Sequence, residues 1–204
     1  MAIENHHKER TPTTECYFFV VLHFRMYTIM AEDFKDSNNR RWLAAYVKMH
    51  HEKKVRDRLT ELGIENFLPV QKEVRQWSDR KKKIERVLIP MMIFVYVNPD
   101  EQRTVITLPS VLRYMVLRGE HTPTVIPAAQ MEQFRFMVDY SENPVNFDTR
   151  PLRPGEKVRV IKGSLTGLEG ELVTIDGKSS IVIRIEQLGC ATVEMHNSMV
   201  EPIG

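Results

Sequence analysis

Residues 87–97 read Val87-Leu88-Ile89-Pro90-Met91-Met92-Ile93-Phe94-Val95-Tyr96-Val97, a run without a charged side chain. Such a run fits a strand at the centre of a sheet, covered on both faces. Pro90 has no N–H to give a ladder, so a bulge or bend is predicted there. Side chains alternate along a strand, so of Met91 and Met92 one faces the core and the other the surface. Upstream, residues 66–70 read as a second strand that continues through 73–77 into a polar turn, Ser78-Asp79-Arg80. Residues 42–47 are apolar on both faces. Residues 48–62 then switch to helical spacing, with Val55, Leu59 and Leu62 on one face and Gly63 at the C-cap position. Downstream come a short helix over 100–108 closed by Pro109, a strand over 111–117, and a helix over 127–140. That last helix has Pro127 at its start and Met131, Phe134 and Val138 on one face. The order predicts an α+β fold: an antiparallel sheet with helices on one face.

Residues 143–154 hold three prolines and no periodicity, and read as a linker. Beyond them the texture changes to short strands over 158–161, 170–175, 181–185, 191–195 and 199–202, with a hairpin turn at Asp176-Gly177. Five short strands in so few residues predict a small all-β, SH3-like barrel that closes its own edges. The predicted division is an N-terminal extension over 1–40, a first domain over 41–142, the linker, and a second domain over 155–204. The extension is expected to be disordered or an over-called start, because Met30-Ala31-Glu32-Asp33 reads as an ordinary soluble beginning.

Composition narrows the function classes. The chain is 42% hydrophobic and 27% charged, which suits a soluble globular protein. Residues 17–30 are apolar but are interrupted by His23 and Arg25, too short and polar to span a bilayer. No small-residue cleavage site follows them. The two cysteines, Cys16 and Cys190, have neither CxxC spacing nor histidine partners, which points to a reducing, cytoplasmic setting. Positive charge concentrates in residues 31–142, with 19 Lys/Arg against 16 Asp/Glu, while residues 143–204 carry seven against eight. A local basic stretch suggests guided contact with a polyanion. No GxSxG, P-loop or paired metal-ligand spacing is present. His50 and His51 are adjacent and point apart on a helix, which argues against a metal site. The chain is therefore expected not to be an enzyme and to need no cofactor.

Pro154-Gly155-Glu156-Lys157-Val158-Arg159-Val160, followed by Gly163, Gly167 and Gly170-Glu171-Leu172-Val173, resembles a KOW motif. Gly170 there lets the backbone re-enter a strand without a Cβ clash. Leu188-Gly189-Cys190-Ala191-Thr192 is similar to a later turn of the same barrel. Trp42-Leu43-Ala44-Ala45-Tyr46-Val47-Lys48, Asn66-Phe67-Leu68-Pro69, and Leu88-Ile89-Pro90 with Ile93-Phe94-Val95 resemble the N-terminal domain of the NusG/RfaH family of transcription factors. The stretch from Leu62-Gly63-Ile64-Glu65 through Gln76-Trp77-Ser78-Asp79-Arg80-Lys81-Lys82 looks closest to the antiterminators of bacterial capsular polysaccharide operons, the UpxY group. General NusG proteins carry Gly-Tyr after the strand proline, where this chain has Met91-Met92, which favours a specialised paralogue.

The resemblance implies binding to the clamp helices of RNA polymerase through Tyr46, Ile89, Pro90 and Met92, an oily strand open to a coiled coil. It implies contact with the non-template DNA strand through Lys48 and through the turn residues Arg75, Trp77, Arg80, Lys81, Lys82 and Lys83: cations on phosphate, ring on base. In the second domain it implies a partner, a small-subunit ribosomal protein or Rho, met by Leu165, Leu168 and Leu188. The chain is expected to act as a monomer away from membranes. A general NusG factor and a ribosome-associated RNA-binding protein using its KOW barrel remain the alternatives.

Overall fold

The computed structural model describes residues 40–76, 81–150 and 152–203, with the backbone alone for 73–76 and 81–83. Strand β1, Arg41–Val47, pairs antiparallel with β5, Met92–Val97, from Arg41↔Val97 to Tyr46↔Met92. Strand β2, Glu65–Phe67, adds to the outer side of β5, while β6, Val111–Tyr114, and β7, Val125–Ile126, both pair with β1. Strands β3, Val70–Gln76, and β4, Lys81–Val87, form a separate two-stranded ribbon.

Parity along the central strands decides what covers them. Leu43, Ala45, Val47, Ile93, Val95 and Val97 pack with Val55 and Leu59 of α1, Glu52–Glu61, and with Val105 of α2, Pro99–Ile106. Trp42, Ala44, Met92 and Phe94 belong to a second core with Met131, Phe134 and Met137 of α3, Ala128–Tyr140. Helices thus lie on both faces, where the sequence suggested one, because β1 and β5 are apolar on both sides.

The run over 87–97 is two strands, not one. Strand β4 ends at Val87, and β5 begins at Met92. Between them the chain turns a corner, with Met91 in the left-handed region at φ 59°. Pro90 cannot continue a ladder, and the break falls beside it. Helix α1 also begins later than its spacing suggested: His50 has φ 61°, and the first helical residue is Glu52. Its C-cap is Leu62, which is exposed rather than core, followed by Gly63 at φ 70°.

The C-terminal region is an all-β sheet of six strands: β8, Val145–Asp148; β9, Glu156–Val160; β10, Glu169–Ile175; β11, Lys178–Ile185; β12, Gly189–Glu194; and β13, Val200–Pro202. Their order is β13-β9-β10-β11-β12-β8. Asp176 and Gly177 turn β10 into β11 with φ 50° and 78°, the geometry of a two-residue type I′ hairpin. An alanine Cβ at Gly170 would lie 2.8 Å from the Val182 carbonyl oxygen, which is the close approach expected there. Strand β8 lies inside the stretch read as a linker and pairs with β12 from Cys190↔Asp148 to Val193↔Val145. Arg40–Gly204 is one unit. One apolar cluster runs from the first sheet through α3 to the C-terminal sheet.

Candidate functional site

Three loops meet where β1 ends. Val47 N–H donates to the Met91 carbonyl at 2.9 Å, and Lys48 N–H donates to the Ser110 carbonyl at 2.9 Å. The corner over 88–91 therefore sits beside the loop that opens α1 and the loop that opens β6. Within the corner the side chains divide sharply. Ile89 is 7% exposed and Met92 5%, both packed into the core, whereas Pro90 is exposed and Met91 half-buried. The strand expected to lie open around Ile89 and Met92 is thus sealed at both, and what faces solvent is the turn between them. Tyr46 is half-buried, with the Arg113 guanidinium 4.7 Å from its ring centroid. That stacked cation occupies one face of the ring.

Glu52 is a residue the sequence reading missed. It is 6% exposed, and its Oε1 accepts from the Met91 N–H at 2.9 Å. In sequence it reads only as an acidic first-turn residue of α1, favourable at a helix N-terminus. Nothing local signals an acceptor for an amide 39 residues away.

Lys48, Met49 and His50 are exposed on the same end, as are Leu112 and Arg113. Lys53, by contrast, is tied to Glu85 at 3.0 Å, and that lysine holds the Glu85 carboxyl below its ordinary range. On the β3–β4 ribbon, Arg75 is the register partner of Lys82, Gln76 of Lys81 and Val74 of Lys83. The two strands expected from sequence are therefore paired, and Arg75, Lys81, Lys82 and Lys83 fall on three neighbouring rungs. Like charges directly opposite are unfavourable in a ladder unless solvent or an anion lies between them. Trp77 and Arg80 lie outside the described residues.

Leu165, Leu168 and Leu188 were expected as apolar loop contacts. All three are buried in the core cluster. The loop before β10 folds back on itself: Gly163 and Gly167 have φ 88° and 93°, and Leu168 N–H donates to the Leu165 carbonyl at 3.0 Å. That geometry turns its leucines inward and corrects the exposed placement.

Nearby, Arg184 forms a two-point pair with Glu171, both bonds 2.8 Å, and donates to the carbonyls of Leu152 and Arg153. This pins the chain entering β9. Among the described residues, no helix is long and apolar enough to cross a membrane.

Residues 40–135 match the family model described as transcription termination factor NusG. A solved structure described as domain interaction in Thermotoga maritima NusG is similar over 81% of this chain and 98% of that one, at 19% identity and TM-score 0.43. An MjSpt4:Spt5 complex, conformation B, is similar over 80% of this chain and 97% of that one, at 13% identity and TM-score 0.26. No curated protein matches the chain.

Proposed function

We propose, from the match of residues 40–135 to the NusG family model, that this protein is a cytoplasmic transcription antitermination and elongation factor without enzymatic activity. That family match is the observation that carries the reading. The first sheet would bind the clamp helices of RNA polymerase at the corner over 88–91. Exposed Pro90, half-buried Met91 and the Tyr46 ring supply the contact, and buried Ile89 and Met92 anchor the corner from within. Methionine suits such a surface because its flexible thioether chain repacks against different partners. A factor that binds only the closed, pause-resistant polymerase shifts the population toward that state and needs no chemistry.

The β3–β4 ribbon would follow the non-template DNA strand with Arg75, Lys81, Lys82 and Lys83, together with Trp77 and Arg80 in its turn, and Lys48 would add a cation at the end of β1. The C-terminal sheet, with its KOW-like sequence, would meet a separate partner, a small-subunit ribosomal protein or Rho. The likeness of residues 62–82 to capsular-operon antiterminators and the Met91-Met92 pair favour one long operon as target over general action.

Retention of purified RNA polymerase by the immobilised full chain tests the reading, and an absence of retention overturns it. Transcript profiling of a deletion strain separates the specialised factor from the general one. One affected operon supports the proposal; hundreds of affected genes point to a general NusG role.

A further inference from the structure

We infer that Glu52 is a positioning residue: its buried carboxylate ends the β1–β5 ladder one bond early and so aims the exposed Pro90 outward. The inference rests on the polymerase-binding reading above. The antiparallel register from Arg41↔Val97 to Tyr46↔Met92 makes Val47↔Met91 the next rung. Half of that rung is present, since Val47 N–H donates to the Met91 carbonyl at 2.9 Å. In a regular antiparallel pair, the two residues of such a rung exchange both bonds, so Met91 N–H would return to the Val47 carbonyl. Here it goes to Glu52 Oε1 at 2.9 Å instead.

Met91 meanwhile takes φ 59°, a conformation that a side chain of its size adopts only when its surroundings hold it there. Pro90 has no N–H, so Met91 carries the first amide through which the corner can be held from outside the ladder. A first-turn glutamate serving only the helix dipole sits in solvent. Glu52 is 6% exposed, and no side-chain cap bond from His51 competes for the same end. Without this acceptor the ladder can close one further rung. Met91 would then relax toward extended backbone, and Pro90 would swing out of its present direction.

The test is a double-mutant cycle on the full chain, reading affinity for purified RNA polymerase by anisotropy. Glu52→Ala is expected to weaken binding about tenfold, a loss worth about 1.4 kcal/mol. Glu52→Gln keeps a side-chain oxygen acceptor and is expected to stay within about threefold of the parent. In the Met91→Gly background, φ near 59° costs little, so the further change Glu52→Ala is expected to cost under about threefold. Val55→Ala, in the same helix but on the core side, controls for lost stability. Glu52→Ala binding no more weakly than Val55→Ala overturns the inference, as does an equal loss in both backgrounds. If Glu52→Ala alone fails to fold, restored folding in the Met91→Gly background supports it, and failure to restore folding overturns it. A parent protein that does not bind polymerase overturns the functional reading and this inference together. Binding by the parent with no response to Glu52→Ala overturns the inference alone.

Discussion

The Glu171 carboxylate accepts two bonds from Arg184 and a third from the Gly155 N–H at 2.9 Å. The Arg184 bonds hold its carboxyl below the usual range, against the opposing effect of partial burial. A carboxylate lowered in the folded state contributes stability that is present above its unfolded value, near 4.3. That contribution is lost as pH falls through the lower folded value, because the unfolded chain takes up the proton first. Glu171→Gln should therefore cost about 1–2 kcal/mol near neutral pH. It should also flatten the acid limb of stability between about pH 5 and pH 3, read as denaturant midpoints across that window. An acid limb as steep as the parent's would show that the pair does not couple to folding. The network around this carboxylate was not legible in sequence, because Glu171, Arg184 and Gly155 are brought together only by the pairing of β9, β10 and β11.

At the level of elements, legibility followed how much of each element's identity its own residues carry. Strands β1 and β5 announce themselves by being apolar on both faces, and the hairpin by its Asp176-Gly177 pair, whose two residues take the positive φ values that such a turn needs. Strand β8 did not: Val145-Asn146-Phe147-Asp148 alternates weakly between prolines, and it becomes a strand because β12 offers it an edge. The break at Pro90 was anticipated as a bend, yet the sealing of Ile89 and Met92, the left-handed Met91 and the bond from its N–H to Glu52 of another element were not. Gly170 is the converse case, a tertiary contact visible beforehand. Gly170→Ala would press a Cβ against the Val182 carbonyl and, at 3.0 Å each, against Ile181 and Ile183. Overpacking of this kind costs about 1–3 kcal/mol, and a thermal melt should fall by several degrees. A melt at the parent temperature would mean that β10 and β11 part at no cost. The β3–β4 ribbon makes the functional prediction at this scale. Lys81→Glu with Lys82→Glu places carboxylates opposite Gln76 and Arg75 in the register. Affinity for single-stranded DNA and readthrough of a terminator should both fall, and the salt dependence of DNA binding should flatten. Unchanged readthrough would remove the nucleic-acid role from the ribbon.

At the scale of the whole molecule, α3 is the element on which both sheets depend. Phe134 meets Phe67 and Phe94 of the first sheet edge-on, at centroid distances of 5.6 and 6.0 Å, and Phe147 of β8 at 6.1 Å. Polar ties run the same way. Gln130 Oε1 accepts from Glu186 N–H at 2.9 Å, and Gln71 both accepts from Val145 N–H and donates to the Asn143 carbonyl. The Arg86 guanidinium donates to the Val145 carbonyl at 3.0 Å. A core shared in this way couples the two sheets, since neither keeps its apolar face covered if the other leaves. Phe134→Ala should cost about 3–5 kcal/mol, the range for deleting a buried aromatic ring. The cost should appear in both sheets at once: amide protection in β1 and β5 should fall with the same denaturant slope as protection in β11 and β12. The opposite pattern is equally specific. If the amides of β11 and β12 keep their protection while those of β1 and β5 lose it, the C-terminal sheet stands alone, and α3 packs between two separate folding units instead of joining them.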